Sequence, residues 1–158
     1  MANENNVNKA KKIYATMVKA LRKKDWKFDE KEDELLIVSG CKGDDLAIPF
    51  VFKVDPMRDC LTFRSPIPVT FSEEKRVEGA VATCVANRGM VFGHFDYDIE
   101  DGEISYTMSD SYLDCEVGED FFMNMMMVAI NTTDRYNDRF AALASGVIDI
   151  KKFIEMEG

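Results

Sequence analysis

The stretch "GHFDYDIEDGEISYTMS", residues Gly93 to Ser109, decides the fold because it predicts a β-hairpin with one apolar and one polar face. The dipeptide Asp101-Gly102 is typical of a two-residue type I′ turn, in which both central residues take positive φ. A slip of one residue would mix the two faces, so the register is well defined. That register predicts three apolar cross-strand pairs: Ile99 with Ile104, Tyr97 with Tyr106, and Phe95 with Met108.

The same stretch is rich in carboxylates, which suggests two chemical alternatives. An EF-hand calcium loop has glycine at its sixth position and glutamate at its twelfth. Counting from Asp96, glycine comes one position late and Thr107 stands twelfth, so no calcium site is expected. The second alternative is an enzyme or small-ligand-binding protein that uses His94 with Asp96 or Asp98. No nucleophile is placed beside His94 by the sequence, so we expect no catalytic residues and no enzyme.

The rest of the chain alternates between helical and strand patterns. A helix is predicted near Asn8–Lys24, four strands follow at hairpin spacing, and a second helix precedes the hairpin. A long helix from about Glu119 to Ser145 is predicted to stop at Gly146, with Asp149 capping a short final helix. The order α-β-β-β-β-α-β-β-α-α predicts one α+β domain over residues 1–158, with an antiparallel sheet of five to six strands.

Two local features carry further expectations. Thr70 and Glu73 fit a capping box at the start of the second helix. The apolar stripe of that helix is expected to face the core, and it consists of Val77, Val81, Cys84 and Val85. Pro49 removes a ladder hydrogen bond, which predicts that its strand lies at a sheet edge or starts late.

Composition excludes several classes of partner. The net charge of −9 would repel a phosphate backbone, so nucleic acid is not expected. No apolar run reaches the ~20 residues of a membrane span, and no signal peptide is evident, so a cytoplasmic location without membrane contact is expected. The four cysteines form no CxxC pair and have only one histidine as companion, so neither a metal nor another cofactor is expected.

The segment "FFMNMMMVAI", Phe121 to Ile130, is apolar almost all round, unlike an ordinary surface helix. It is either a central core helix or a surface that meets a second chain, for which adaptable methionines are suited. The candidate partner or dimer surface consists of Phe121, Phe122, Met123, Met125, Met126 and Met127.

The region Ile67 to Ser109 resembles the YbjN-like proteins, often labelled bacterial sensory transduction regulators. The family pattern is a helix of small and apolar residues that ends in asparagine, followed by the hairpin "G-x-F-x-x-D-x-x-D-G-E-[IV]-x-[YF]". This chain matches the pattern at Asn87, Gly93, Phe95, Asp98, Asp101, Gly102, Glu103, Ile104 and Tyr106. The later "TTDRYNDRF" resembles the family's final helix through Asp134, Arg135 and Tyr136.

The resemblance implies a fold like that of the type III secretion chaperones, which commonly dimerise and bind extended segments of other proteins. Together with the acidic surface and the over-apolar helix, it predicts a non-enzymatic, homodimeric protein-binding module with a regulatory or chaperone-like role. The matched family residues are expected to be structural, so the candidate interface is sought in the apolar helix.

Overall fold

The computed structural model describes residues 4–158 and shows the predicted α+β architecture. The α-helices of this part of the chain are α1 (Glu4–Lys23), α2 (Arg76–Asn87), α3 (Glu119–Ser145) and α4 (Ile150–Glu157). The strands are β1 (Phe28–Lys31), β2 (Leu36–Lys42), β3 (Ala47–Asp55), β4 (Cys60–Thr70), β5 (His94–Tyr97) and β6 (Glu103–Ser111). They form one antiparallel sheet in the order β1-β2-β3-β4-β6-β5.

The core lies between the helices and one face of this sheet. Alternate residues of β3 are buried, because successive side chains of a strand point to opposite faces: these are Ile48, Phe50, Phe52 and Val54. The ring of Phe52 lies 4.7 Å from that of Phe122 on α3 and 5.4 Å from that of Phe63 on β4. Burying side chains of this size stabilises the fold by roughly 1.5–3 kcal/mol each.

The ends of the two final helices confirm the predicted signals. Gly146 takes φ 79° at the end of α3, a left-handed conformation that glycine adopts at little cost. Asp149 caps α4, because its carboxylate accepts a hydrogen bond from the backbone N–H of Lys152 at 2.8 Å.

The hairpin of β5 and β6 forms as predicted, but its turn and register differ. The observed pairs are His94 with Thr107, Phe95 with Tyr106, Asp96 with Ser105, and Tyr97 with Ile104. Asp98 pairs with Glu103 and also accepts a 2.7 Å bond from the N–H of Gly102, which closes a longer loop. Gly102 has φ 75°, whereas Asp101 does not take positive φ, so the type I′ turn is wrong. Because the register shifts by two residues, each strand residue keeps its predicted face.

The predicted apolar stripe of α2 is wrong for Val77, Val81 and Cys84, whereas Val85 packs partly against the core. The helix buries mainly its small residues. The side chains packed inside are Gly79, Ala82, Thr83 and Ala86. Val77 and Val81 are 69% and 40% exposed, and Cys84 is exposed as well. The reason is a close approach: a Cβ on Gly79 would lie 2.6 Å from the hydroxyl oxygen of Tyr97. A branched side chain at position 79 would not fit.

Two smaller expectations are wrong: the capping box at Thr70 and the edge position of the strand that contains Pro49. Strand β4 continues through Thr70, so this residue does not cap α2; a 3₁₀ turn, Glu73–Lys75, leads into the helix. Strand β3 lies between β2 and β4 rather than at an edge. Its ladder to β4 begins at Val51, two residues after Pro49, so the missing N–H of Pro49 interrupts no bond of that ladder.

Substitution of Gly79 tests this packing, because helix propensity and steric contact predict changes of opposite sign in the free energy of unfolding. Helix propensity alone predicts that Gly79→Ala stabilises the protein by about 1 kcal/mol. The contact with Tyr97 and Phe71 predicts the reverse, a loss of about 1–3 kcal/mol, and a larger loss for Gly79→Val. Urea unfolding followed by circular dichroism measures both. A stabilised Gly79→Ala would contradict the close approach of α2.

Candidate functional site

The predicted acid/base group at the hairpin does not assemble into a catalytic site. Nε2 of His94 lies 3.0 Å from Oδ1 of Asp96, and the hydroxyl of Thr107 donates to the other oxygen of Asp96 at 2.6 Å. In a hydrolytic triad the histidine stands between the carboxylate and the nucleophile. Here the carboxylate stands in the middle, so the hydroxyl of Thr107 is not activated by the imidazole. His94 and Asp96 are also about half exposed.

Asp98 forms hydrogen bonds within the hairpin loop and none with His94. Its carboxylate accepts hydrogen bonds from the backbone N–H groups of Glu100 and Asp101, and so shapes the hairpin loop. A cavity of about 780 Å³ lies beside this loop, and its walls include Asp96 and Asp98 but not His94. The concave pocket around His94 that the enzyme alternative requires is therefore not formed by these residues.

Metal-binding geometry is not found within residues 4–158, where no group of three or more histidine, cysteine, aspartate or glutamate side chains converges. All four cysteines are free thiols. Cys41 is half-buried, and desolvation together with the charge of Asp134 raises the pKa of its thiol.

The methionine segment divides into buried and exposed residues. Phe122, Met125 and Met126 are almost completely buried in the chain's own core, because they face the sheet. They are therefore not available to a partner in this conformation. Phe121 and Met127 are 44% and 41% exposed, and Met123 is half-buried. The candidate surface on α3 narrows to these three residues, called here the α3 patch.

Asn87, the last residue of α2, closes the edge of the sheet at β5. Its side-chain oxygen accepts from the N–H of Phe95 at 2.7 Å, and its amide nitrogen donates to the carbonyl of Phe95 at 3.0 Å. One side chain thus satisfies both outward backbone groups of a residue on an edge strand. Such groups otherwise invite pairing with another chain.

The chain between Asn87 and β5, residues 88–92, is held from both ends and is called here the presentation loop. The N–H of Met90 bonds to the carbonyl of Asn87, and the hydroxyl of Tyr106 donates to the carbonyl of Phe92 at 2.8 Å. Gly93 packs directly on Tyr106: a Cβ there would lie 2.3 Å from the hydroxyl oxygen, and φ is 65°. Burial raises the pKa of Tyr106, so its hydroxyl remains a donor at neutral pH.

Held in this way, the presentation loop exposes large apolar side chains. Val91 is 84% exposed and Phe92 58%. The loop directly follows a second exposed apolar feature, the α2 stripe, which consists of Val77, Val81 and Cys84 at spacings of four and three along one side of the helix. Apolar residues exposed together in this way commonly mark interaction surfaces.

Two further residues of the resemblance attach loops to the body of the protein. Gly102 accepts a 2.9 Å bond from the N–H of Phe71, and a Cβ on it would collide with the backbone of Phe71. Asp134 on α3 accepts from the N–H of Asp44 at 3.0 Å, which ties the turn between β2 and β3 to that helix.

These structural roles agree with a comparison against protein-family models. The family described as "YbjN: Putative bacterial sensory transduction regulator" matches residues 15–142, well over half of the chain. The chain belongs to the YbjN family. The resemblance seen in the hairpin sequence is therefore confirmed, and Asn87, Gly93, Phe95 and Tyr106 are members of one hydrogen-bonded and packed group.

Solved structures with the same fold include YbjN from E. coli, titled a "putative transcription regulator", at TM-score 0.61 and 11% identity, covering 84% of this chain and 92% of that one. The ExsC–ExsE complex matches at TM-score 0.57 and 10% identity, covering 80% and 92%. The HopA1–SchA chaperone–effector complex matches at TM-score 0.51 and 13% identity, covering 81% and 95%. At these identities the likeness establishes the fold, which is type III secretion chaperone-like as expected.

No curated protein matches the sequence. Among the helices of residues 4–158, none combines the length and apolar character needed to cross a membrane.

The presentation loop was missed at the level of sequence. The signal was present in "GMVFG", Gly89 to Gly93, where three apolar residues stand between two glycines. Both glycines take positive φ, 111° and 65°, which identifies the segment as a shaped loop rather than the start of a strand.

Asn87→Ala tests the edge closure that this YbjN motif provides. The change leaves the N–H and carbonyl of Phe95 without their partner, so we expect a loss of about 1–3 kcal/mol in unfolding free energy. The opened edge should also promote association, which light scattering would detect. The matched control is Asn131→Ala on the exposed side of α3, expected to change stability by less than ~0.5 kcal/mol. Equal behaviour of the two variants would contradict the assigned role.

Proposed function

We propose that this YbjN-family chain is a non-enzymatic, homodimeric protein-binding module with a chaperone-like or regulatory role in the cytoplasm, and that residues 1–158 act as a single domain. The observation that carries the proposal is the exposed apolar surface on α2 and the loop that follows it. Val77, Val91 and Phe92 are more than half exposed, which makes them available to another protein.

The α2 stripe is suited to a second copy of the same chain. It spans about 10 Å along the helix, since Cys84 lies seven positions after Val77 and each position adds about 1.5 Å. In a two-fold dimer with antiparallel α2 helices, an axis passing near Val81 would place Val77 of each copy opposite Cys84 of the other.

Binding of other proteins is supported by the fold neighbours, two of which were solved as complexes, one titled a chaperone–effector complex. Because this analogy rests on the fold alone, the hypothesis also needs a specific surface on this chain that could bind a partner. The α3 patch, Phe121, Met123 and Met127, is proposed as a partner surface separate from the α2 stripe. The enzyme alternative gains no support, because His94 hydrogen-bonds to Asp96 and the hydroxyl of Thr107 donates to Asp96 rather than to His94.

The dimer is tested by sedimentation equilibrium, which should give twice the 18.0 kDa of one chain. Val81→Asp places a charge at the centre of the α2 stripe and should give a monomer that keeps its circular dichroism spectrum. Val147→Asp is the matched control, because Val147 is 77% exposed between α3 and α4. A monomeric wild-type protein, or a dimer that persists in Val81→Asp, would contradict the α2 interface.

A Met127→Asp variant separates the two proposed surfaces in the same experiment. Since Met127 lies on α3, this variant should remain a dimer. It should also retain fewer host proteins in affinity capture than wild type does. If Met127→Asp is monomeric instead, the dimer uses α3 rather than α2.

A further inference from the structure

Two arginines line a cavity next to the presentation loop and have no salt bridge within the part of the chain that the structure describes. The cavity, about 350 Å³, lies between the loop and helix α3, and Arg88 and Arg135 lie in its wall. Both side chains are exposed. Unpaired neighbouring cations are notable in a chain with net charge −9, where carboxylates are abundant.

Glu157 also lines this cavity, but its charge is already engaged. The hydroxyl of Tyr136 donates to one carboxylate oxygen at 2.7 Å, and Arg139 binds the other. Arg135 lies over the ring of Tyr136, with its guanidinium carbon 5.6 Å from the ring centre, which restricts its side chain. Glu157 is therefore paired with Arg139, and Arg88 and Arg135 form no ion pair among residues 4–158, although Arg135 also borders a neighbouring cavity lined by aspartates.

The rim of the same cavity is apolar and held in place. Met90, Val91 and Phe92 form one side of it, and the hydrogen bond from Tyr106 to Phe92 fixes their backbone. A ligand that satisfies the whole site would carry a carboxylate for the arginines and an apolar group for the rim. Arginine favours carboxylates because its planar fork can bind both oxygens.

We propose that this cavity, with its presentation loop, binds an extended partner segment in which acidic and apolar side chains alternate. The inference rests on the proposed protein-binding function and specifies the chemistry of the partner. A flexible peptide can place one carboxylate at Arg88 and another at Arg135, because its side chains adjust independently. A polyanionic surface such as a lipid membrane would also meet the acidic cavity beyond Arg135, which contains Asp44, Asp45, Asp134 and Asp138.

The test uses a fluorescein-labelled hexapeptide of alternating glutamate and leucine, titrated into the full chain at low ionic strength and followed by fluorescence anisotropy. The matched peptide replaces every glutamate by glutamine. We expect the acidic peptide to bind at least tenfold more tightly than the neutral one. Arg88→Gln and Arg135→Gln should each weaken its binding about tenfold, as expected for loss of a charge-assisted hydrogen bond. Phe92→Ser should weaken the binding of both peptides.

Arg58→Gln is the matched control, because Arg58 is an exposed arginine in the turn between β3 and β4 and carries the same charge. It should leave peptide binding unchanged. Equal loss in Arg58→Gln, equal affinity for both peptides, or no binding of the acidic peptide would overturn the inference. The inference would also be overturned if phosphatidylserine vesicles or inorganic phosphate bound in a way that depends on Arg88 and Arg135 while the acidic peptide did not bind.

The same titration is repeated with Val81→Asp, so that the two proposals fail separately. A monomeric protein that binds the acidic peptide supports the cavity independently of the dimer. If the wild-type protein is a dimer that does not bind the peptide, the proposed peptide site is wrong and the proposed α2 interface is unaffected.

Discussion

The side chain of Asn87 connects the end of α2 to the edge strand β5 by bonding both the N–H and the carbonyl of Phe95. An asparagine side chain can do this because its amide offers one acceptor and two donors, like a peptide group. The contact closes the sheet edge, fixes where α2 ends, and sets the start of the presentation loop. Phe95 in turn packs against Tyr106, Tyr136 and Phe140, so the same residue joins the edge of the sheet to α3.

Much of the fold could be predicted from the sequence where a signal is local. The bounds of α3, the glycine at its end and the Asp149 cap follow from residues next to one another in the chain. The face of each hairpin strand was also predictable, because alternation survives a two-residue shift. The turn itself was not, because Gly102 packs against the backbone of Phe71, which is distant in the chain.

The orientation of α2 shows why the candidate site was harder to predict. Hydrophobicity ranks Val77 and Val81 above Gly79 and Ala82 for burial, yet the small residues are the buried ones. Burial was decided by the distance at which α2 meets Tyr97, which no residue of α2 specifies on its own. The prediction that the methionine segment forms one partner surface was wrong in part for a similar reason. The same helix contributes residues to the core and to the surface, and packing on the sheet buries Met126 but leaves Met127 exposed.

The residues of the family motif thus hold the presentation loop in a fixed position between α2 and β5. Its glycines, asparagine and tyrosine make packing contacts and hydrogen bonds, and the side chains exposed between them are apolar. The five carboxylates that first suggest a reactive site serve the turn and a solvated face instead. The proposed protein-binding role rests on the apolar side chains that these residues expose.

The most direct measurement is amide hydrogen exchange at Phe95, resolved by NMR. Because Asn87 accepts from this N–H, the account predicts protection comparable to that of amides in the middle of β6, although β5 is an edge strand. Asn87→Ala should remove that protection while amides of β3 remain protected. Rapid exchange at Phe95 in the wild-type protein would contradict the claim that Asn87 closes the edge and positions the loop.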